Sequence, residues 1–103
     1  MKYAIYQIKD IEKVNYAFRS IEEARTFEGG PKMEDYEDVY YGYLFGADWA
    51  DDHSVLDYLF QKFNTEIPEG FKGHSLSVSD IVRWNDKYYY CNPFGWEEVT
   101  EWE

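Results

Sequence analysis

The sequence is short of several features that would place it in a common functional class. It has one cysteine, Cys91, so no disulfide can form within the chain, and a reducing, cytoplasmic setting is expected. No apolar run reaches the length of a membrane span, and the first residues lack the apolar stretch of a signal peptide. The sequence contains no phosphate-binding glycine loop, paired zinc cysteines or hydrolase serine motif. These absences favour a protein with no enzymatic activity, cofactor or membrane partner.

Acidic and aromatic side chains are in excess. The formal net charge is −11 over 103 residues, and 21% of the residues are aromatic. Residues 34–60 contain eight Asp or Glu and no Lys or Arg, whereas residues 1–33 carry a balance of +1 and residues 61–103 one of −4. A field of this sign repels nucleic acid and attracts basic proteins. The length suits one domain, 1–103.

The best-marked local structure is a β-hairpin near the C-terminus. Two β-branched or aromatic runs, 81–84 and 88–91, flank three polar residues, which predicts a hairpin with a three-residue loop. Before it, Leu76 and Val78 alternate with serines, as in an extended segment that buries one side. Asp80 is expected to hydrogen-bond nearby backbone at the entry to the strand.

Other strands are predicted on either side of this hairpin. Residues 3–8 have the pattern of a buried strand, and 16–18 could pair with it. Residues 39–45 form another apolar run, in which Gly42 marks a bulge or a close backbone approach. Residues 96–99 could add one more short strand. The acidic residues 33–38 are expected to form a loop.

Two helices are predicted. Ser20 and Glu23 fit a capping box for a helix from Ile21 to about Phe27. A second helix is expected to begin near Asp52 or Ser54 and to end at Phe63, with Asn64 in the left-handed position after it and one apolar stripe, Val55, Leu56, Leu59, Phe60 and Phe63. The pattern predicts an α+β fold, a small antiparallel sheet of about five strands with two helices packed on it.

The strongest candidate for a functional surface is acidic. Carboxylates without interleaved bases speed encounter with a positive partner, and nearby aromatic side chains can supply anchors. The alternative is a solvated face that keeps a tyrosine-rich protein soluble. The acidic residues are Glu34, Asp35, Glu37, Asp38, Asp48, Asp51 and Asp52, and the aromatic ones are Tyr36, Tyr40, Tyr41, Tyr43 and Trp49.

Two chemical alternatives have weaker support. The run 51–53 (Asp-Asp-His), with Asp48 or Asp57, could bind a divalent metal, but it lacks a recognised spacing and a helix start favours acids in any case. Cys91 with His74 or His53 could form a nucleophile and base, but a lone cysteine among tyrosines in a strand is more often a small apolar filler.

Several runs resemble the YodL-like domain over nearly the whole chain. One departure is Asn92, where the family pattern leads us to expect an aspartate. The resembling runs are residues 3–7, 16–18, 63–64 with a Pro68 loop, 73–82, 89–92 and 94–96.

The resemblance implies a bacterial protein, found as small free chains and inside large proteins of phages and conjugative elements. It implies no established enzymatic activity, and one small namesake is linked to cell-shape control through MreB. Within the family signature, His74, Ser77, Ser79 and Asp80 could line a site or fix the turn before the hairpin.

Two functional hypotheses follow. In the first, the chain binds and inhibits a basic bacterial protein, a CRISPR effector or another defence nuclease, through its acidic, tyrosine-rich surface. In the second, it binds a cytoskeletal (MreB-like) or signalling protein through residues 74–80 and the hairpin.

Overall fold

A computed structural model describes residues 1–45 and 51–103, and these residues form an α+β fold, as predicted. Short 3-10 turns, Met33–Asp35 and Thr100–Trp102, precede the second strand and follow the last. No helix in the described ranges is long and apolar enough to cross a membrane. In chain order the elements are β1 (Lys2–Ile8), α1 (Ile21–Glu28), β2 (Tyr36–Tyr43), α2 (Asp52–Thr65), β3 (Ile81–Trp84), β4 (Lys87–Cys91) and β5 (Trp96–Glu98).

The strands of the described residues form one antiparallel sheet in the order β2-β1-β3-β4-β5. The first strand is central, because it pairs with β2 on one side and with β3 on the other. Ile5 pairs with Tyr40 but Tyr6 pairs with Asp38, so Val39 is an extra residue that bulges. The sequence predicted either a bulge or a close approach at Gly42, and the structure shows the close approach.

The close approach at Gly42 involves an aromatic side chain of the neighbouring strand. A Cβ atom at Gly42 would lie 2.5 Å from the Tyr3 ring. Glycine is therefore the residue that lets this ring lie flat against β2.

One helix packs on each face of the sheet. The buried residues of α2 contact one face, where Tyr3, Ile5 and Val82 point, and the side chains of α1 contact the other, where Ile8 and Tyr90 point. Phe60, which the sequence placed in the apolar stripe of α2, is instead exposed. The alternation along β1 fits this arrangement, since successive side chains of a strand face opposite sides. The sheet thus has two apolar layers, and each depends on one helix.

The predicted strand at 16–18 is wrong. Tyr16 is buried as a loop side chain, and Phe18 has a left-handed φ of 62°. Both edges of β1 are taken by β2 and β3, so no position is left there for these residues.

Several boundaries also differ from the predictions. The hairpin loop has two residues, Asn85 and Asp86, both with positive φ, because Lys87 already pairs with Trp84. The strand β2 begins at Tyr36, inside the predicted acidic loop.

The ends of α2 also differ. The residue that caps its N-terminus is Asp51, whose carboxylate accepts a hydrogen bond from the backbone N–H of Ser54. The helix continues past Asn64, which does not take the left-handed position after it, and Glu66 is the residue that follows its end.

Candidate functional site

The first group of predicted acidic residues lies around the start of β2, an edge strand of the sheet. Glu34, Glu37 and Asp38 are exposed, and in the described ranges none of the three lies within 4.0 Å of a cationic side chain. Asp35 is half-buried and accepts a hydrogen bond from the Tyr16 hydroxyl at 2.8 Å. We call Glu34, Asp35, Glu37 and Asp38 the acidic strand.

Lysines lie close to the acidic strand and reduce its field. Lys9 and Lys13 line a pocket of about 200 Å³ together with Glu34 and Asp35. Lys72 borders a shallow depression next to Asp38, at the other side of β2. Sequence reasoning missed these bases because they come from residues 1–33 and 61–103, outside the acidic segment.

The four predicted tyrosine anchors have different positions: Tyr36 is buried, whereas Tyr43 is 63% exposed. Tyr40 is half-buried and its ring lies 5.3 Å from that of Phe63, so it belongs to the core layer under α2. Tyr41 is 49% exposed and lies on the opposite face. Its hydroxyl hydrogen-bonds Asp38, which raises the pKa of Tyr41 to about 12 and lowers that of the Asp38 carboxyl. The predicted residues Asp48 and Trp49 lie outside the described residues.

The second group of predicted acids, Asp51 and Asp52, lies at the opposite end of the sheet. Asp52 accepts a hydrogen bond from the Tyr89 hydroxyl at 2.6 Å and faces the hairpin loop through Asn85. From Asp38 to Tyr43, at the far end of β2, the strand spans five residues, or roughly 17 Å. The structure therefore does not join the predicted acids into one surface.

Two further carboxylates, Glu98 and Glu103, lie near Asp52. The adjacent Glu103 carboxyl raises the pKa of Glu98. Burial raises the pKa of Tyr89, and its hydrogen bond to Asp52 and the charges of both glutamates add to that effect. We call Asp51, Asp52, Glu98 and Glu103 the carboxylate cluster. The cluster depends on the strand register that pairs Tyr89 with Glu98, so it could have been found from the sequence only by predicting that register.

The described members of the possible metal site are not arranged to bind a metal, and Asp48 lies outside the described residues. Asp51 is occupied as the helix cap, and its two hydrogen bonds from Ser54 lower the pKa of its carboxyl. The His53 ring instead contacts Tyr89, with 5.9 Å between ring centroids. Within residues 1–45 and 51–103, no three His, Cys, Asp or Glu side chains are arranged to hold a metal ion.

The family motif 74–80 is built around a buried carboxyl. Asp80 is 2% exposed, and its Oδ2 accepts hydrogen bonds from the Ser77 backbone N–H at 2.8 Å and from Gln7 Nε2 at 3.0 Å. Gln7 is also 2% exposed and donates to the His74 carbonyl at 2.9 Å. Burial raises the pKa of Asp80 to about 8, although both hydrogen bonds favour the charged form.

Ser79 connects the motif to three other parts of the chain. It has a left-handed φ of 79°, and its hydroxyl accepts a hydrogen bond from the Phe18 backbone N–H at 3.0 Å. Its carbonyl accepts one from the Tyr36 hydroxyl at 2.6 Å, and its N–H donates to the Cys91 carbonyl. These contacts tie Ser79 and Asp80 into the fold, as expected if the motif fixes the turn before the hairpin.

His74 is the exposed member of the motif. Its side chain is 47% exposed, and Nε2 lies 3.9 Å from Asp80 Oδ1. The Phe18 ring, itself 53% exposed, lies 6.3 Å from the imidazole. His74 and Phe18 therefore form a small exposed pair directly above the buried carboxyl.

Cys91 and Asn92 follow the hairpin. Cys91 is buried, which raises the pKa of its thiol to about 12, so the thiolate required of a nucleophile is scarce near neutral pH. Asn92 Oδ1 accepts a hydrogen bond from the Ile21 backbone N–H at 2.8 Å, at the start of α1. An aspartate could supply the same acceptor, so the departure from the expected residue preserves this contact.

Comparison with known proteins gives one match. A family model described as the YodL-like domain matches residues 2–102. No curated protein and no solved structure matches significantly. The match covers β1 to the last 3-10 turn, including the buried Asp80 motif. The chain therefore belongs to the YodL-like domain family.

Proposed function

We propose that this chain is a non-enzymatic protein of a mobile genetic element that binds and inhibits a basic host protein. The partner class is a defence nuclease, such as a CRISPR effector, which makes the protein an inhibitor of the anti-CRISPR or anti-restriction type. The observation that supports this most directly is the grouping of Asp52, Glu98 and Glu103 around the hairpin: the Tyr89 hydroxyl donates to Asp52, Tyr89 pairs with Glu98, and the Tyr88 N–H donates to Glu103. Such grouping of like charges destabilises the free protein, and a basic partner relieves it on binding.

The two acidic regions are not equivalent in this proposal. Three lysines surround the acidic strand, whereas the base that acts on Glu98 is Lys87. The main contact is therefore the carboxylate cluster, and the acidic strand with the exposed Tyr41 is a secondary contact. A basic groove that approaches the hairpin end of the sheet would meet the cluster first.

A double variant, Glu98→Gln with Glu103→Gln, tests this assignment. It removes two negative charges and the repulsion between them, so the fold should remain intact. The control, Glu12→Gln with Glu69→Gln, makes the same change in net charge at exposed residues far from the cluster in sequence. The partner is captured from a bacterial lysate on each tagged protein, identified by mass spectrometry, and purified for a DNA-cleavage assay.

The expected result is salt-sensitive capture of a basic nucleic-acid-handling protein, because exposed charge pairs are screened. The parent and the control variant should both inhibit DNA cleavage by that protein, and the double variant should inhibit it more weakly. Equal inhibition by all three proteins would remove the carboxylate cluster from the mechanism. A partner that is acidic, or that resists salt, would contradict the proposed charge-based docking.

A second candidate function is a regulatory contact with a cytoskeletal (MreB-like) or signalling protein. The exposed His74 supports it, because it is the most accessible part of the motif, and the exposed Phe18 ring lies beside it. His74→Ala should abolish co-sedimentation with MreB filaments without changing the circular dichroism spectrum. Retained co-sedimentation would exclude His74 as the contact.

A further inference from the structure

The sheet face under α1 is only half covered. Side chains around α1 and the last 3-10 turn cover Ile8, Ile81 and Tyr90. The other half of this face carries Lys2 and Arg83, and both are exposed. It lies at the end of β1 where Lys2 pairs with Tyr43.

Ala4, itself only 3% exposed, lies at the base of this half. It pairs with Tyr41 of β2 on one side and with Arg83 of β3 on the other, while Lys2 and Tyr6 are its neighbours on the same face of β1. A small residue inside a ring of four long side chains leaves a depression. The structure has a pocket of about 200 Å³ there, lined by Lys2, Ala4, Tyr41, Arg83, Asn85 and Asp86. We call it the Ala4 pocket.

Aromatic rings hold the two cations of the pocket in place. Lys2 Nζ lies 4.7 Å from the centroid of the Tyr41 ring, and the Arg83 guanidinium lies 5.6 Å from that of Tyr88. Asp86 forms an ion pair with Arg83 at 3.6 Å, but its side chain is 95% exposed and can swing away at little cost. The lining therefore carries two cations and one anion in a chain whose net charge is −11.

We propose that the Ala4 pocket binds a carboxylate side chain, Asp or Glu, from an extended segment of a partner protein. Lys2 and Arg83 would flank the carboxylate from the two sides of Ala4. The exposed rings of Tyr41 and Tyr43 would contact the apolar residues beside it, as tyrosines do in protein interfaces. This surface adjoins the carboxylate cluster at Asn85 but differs from it in charge and in the residues that line it, so the inference goes beyond the proposed function.

A carboxylate fits the pocket better than a nucleic-acid backbone does. Two cations can neutralise only about two phosphates, which gives little counterion release. The repulsion from a net charge of −11 grows with the charge of the ligand, so it penalises an oligonucleotide far more than a segment with one carboxylate.

The test uses two probes that differ in one group. The full chain, labelled with ¹⁵N, is titrated with acetyl-valyl-glutamyl-valinamide and, in parallel, with acetyl-valyl-glutaminyl-valinamide. Amide shifts of Ala4, Tyr41 and Arg83 report binding. Three variants are compared with the parent. Ala4→Leu fills the pocket, and the double variant Lys2→Gln with Arg83→Gln removes both cations. The control, Lys13→Gln, removes a lysine that is outside the pocket and has a side chain that is 82% exposed.

We expect saturable shifts at the pocket with the glutamyl probe, and binding weaker by up to about fivefold for each cation removed. Ala4→Leu should abolish the shifts, and Lys13→Gln should leave them unchanged. Equal binding of the two probes, or undiminished binding to the double variant, would overturn the proposal. Tighter binding of an octathymidylate probe at the same amides would overturn it in favour of nucleic acid. If Ala4→Leu does not fold, the double variant decides the question alone.

Discussion

Asp80 should make the protein less stable as the pH rises from 5.5 to 7.5. The usual pKa of an aspartate is about 3.9 in an unfolded chain, whereas burial raises the pKa of Asp80 to about 8 in the folded protein. Between these values the folded state holds a proton that the unfolded state has lost. The free energy of unfolding therefore falls with increasing pH, which is opposite to the behaviour of a salt-bridged aspartate.

The size of the effect follows from the linkage relation. Each pH unit between the two pKa values changes the free energy of unfolding by about 1.4 kcal/mol, so two units correspond to a loss on the order of 3 kcal/mol. That is a large share of the stability of a domain of this size, about 5–15 kcal/mol. The hydrogen bonds from Gln7 and Ser77 stabilise the charged carboxylate, so they lower the folded-state pKa and reduce the loss of stability.

Urea unfolding followed by tryptophan fluorescence, at pH 5.5, 6.5 and 7.5, measures this loss. The matched variant is Asp80→Asn, whose amide oxygen can still accept from Ser77 and Gln7 but cannot ionise. Its free energy of unfolding should change less with pH than that of the parent, and the difference between the two isolates Asp80 from the other carboxylates. Parallel pH profiles for parent and variant would refute the reasoning, because they would mean that Asp80 is ionised in the fold throughout this range.

Three further variants and one control variant test the packing, the hairpin and the ion pairs by the same unfolding assay. Phe63→Ala removes a ring with no exposure and should lower the free energy of unfolding by about 3–5 kcal/mol, whereas Phe60→Ala on the exposed face of α2 should cost far less; similar losses would contradict the core assignment. Asp86→Gly places glycine at a φ of 61° and should raise stability by up to about 1 kcal/mol, and a decrease would contradict the loop geometry. Arg25→Ala removes ion pairs to Glu97 and Glu101 and should lower the free energy of unfolding by about 1 kcal/mol at low salt and by less at high salt. A decrease that is the same at both salt concentrations would show that the ion pairs contribute little.

Local signals predicted the helices and most strands well. The Ser20 cap and the α2 stripe depend on residues a few positions apart; the cap is present, and the predicted stripe residues other than Phe60 are buried. The loop length was wrong because the polar break did not show that Lys87 continues the ladder. The strand at 16–18 was wrong because composition does not reveal that both edges of β1 are occupied.

The candidate surfaces were harder to predict, because each joins residues that are distant in sequence. Gln7 and Asp80 are separated by 73 positions, and nothing local marks Gln7 as the partner of the motif carboxyl. The carboxylate cluster and the Ala4 pocket likewise depend on strand register, which brings Glu98 to Tyr89 and Arg83 to Ala4. The charge bias of residues 34–60 indicated acidity correctly but did not show that lysines from other segments surround part of it.

The central position of β1 also has a consequence for folding during synthesis. As the chain leaves the ribosome, β1 can pair with β2 once residue 43 has emerged, but its other edge must wait for residues 81–83. Contacts that are this distant in sequence slow folding, and an unpaired strand edge is prone to associate with other chains in the meantime. The nascent protein therefore spends the synthesis of nearly forty residues with its innermost strand open on one side.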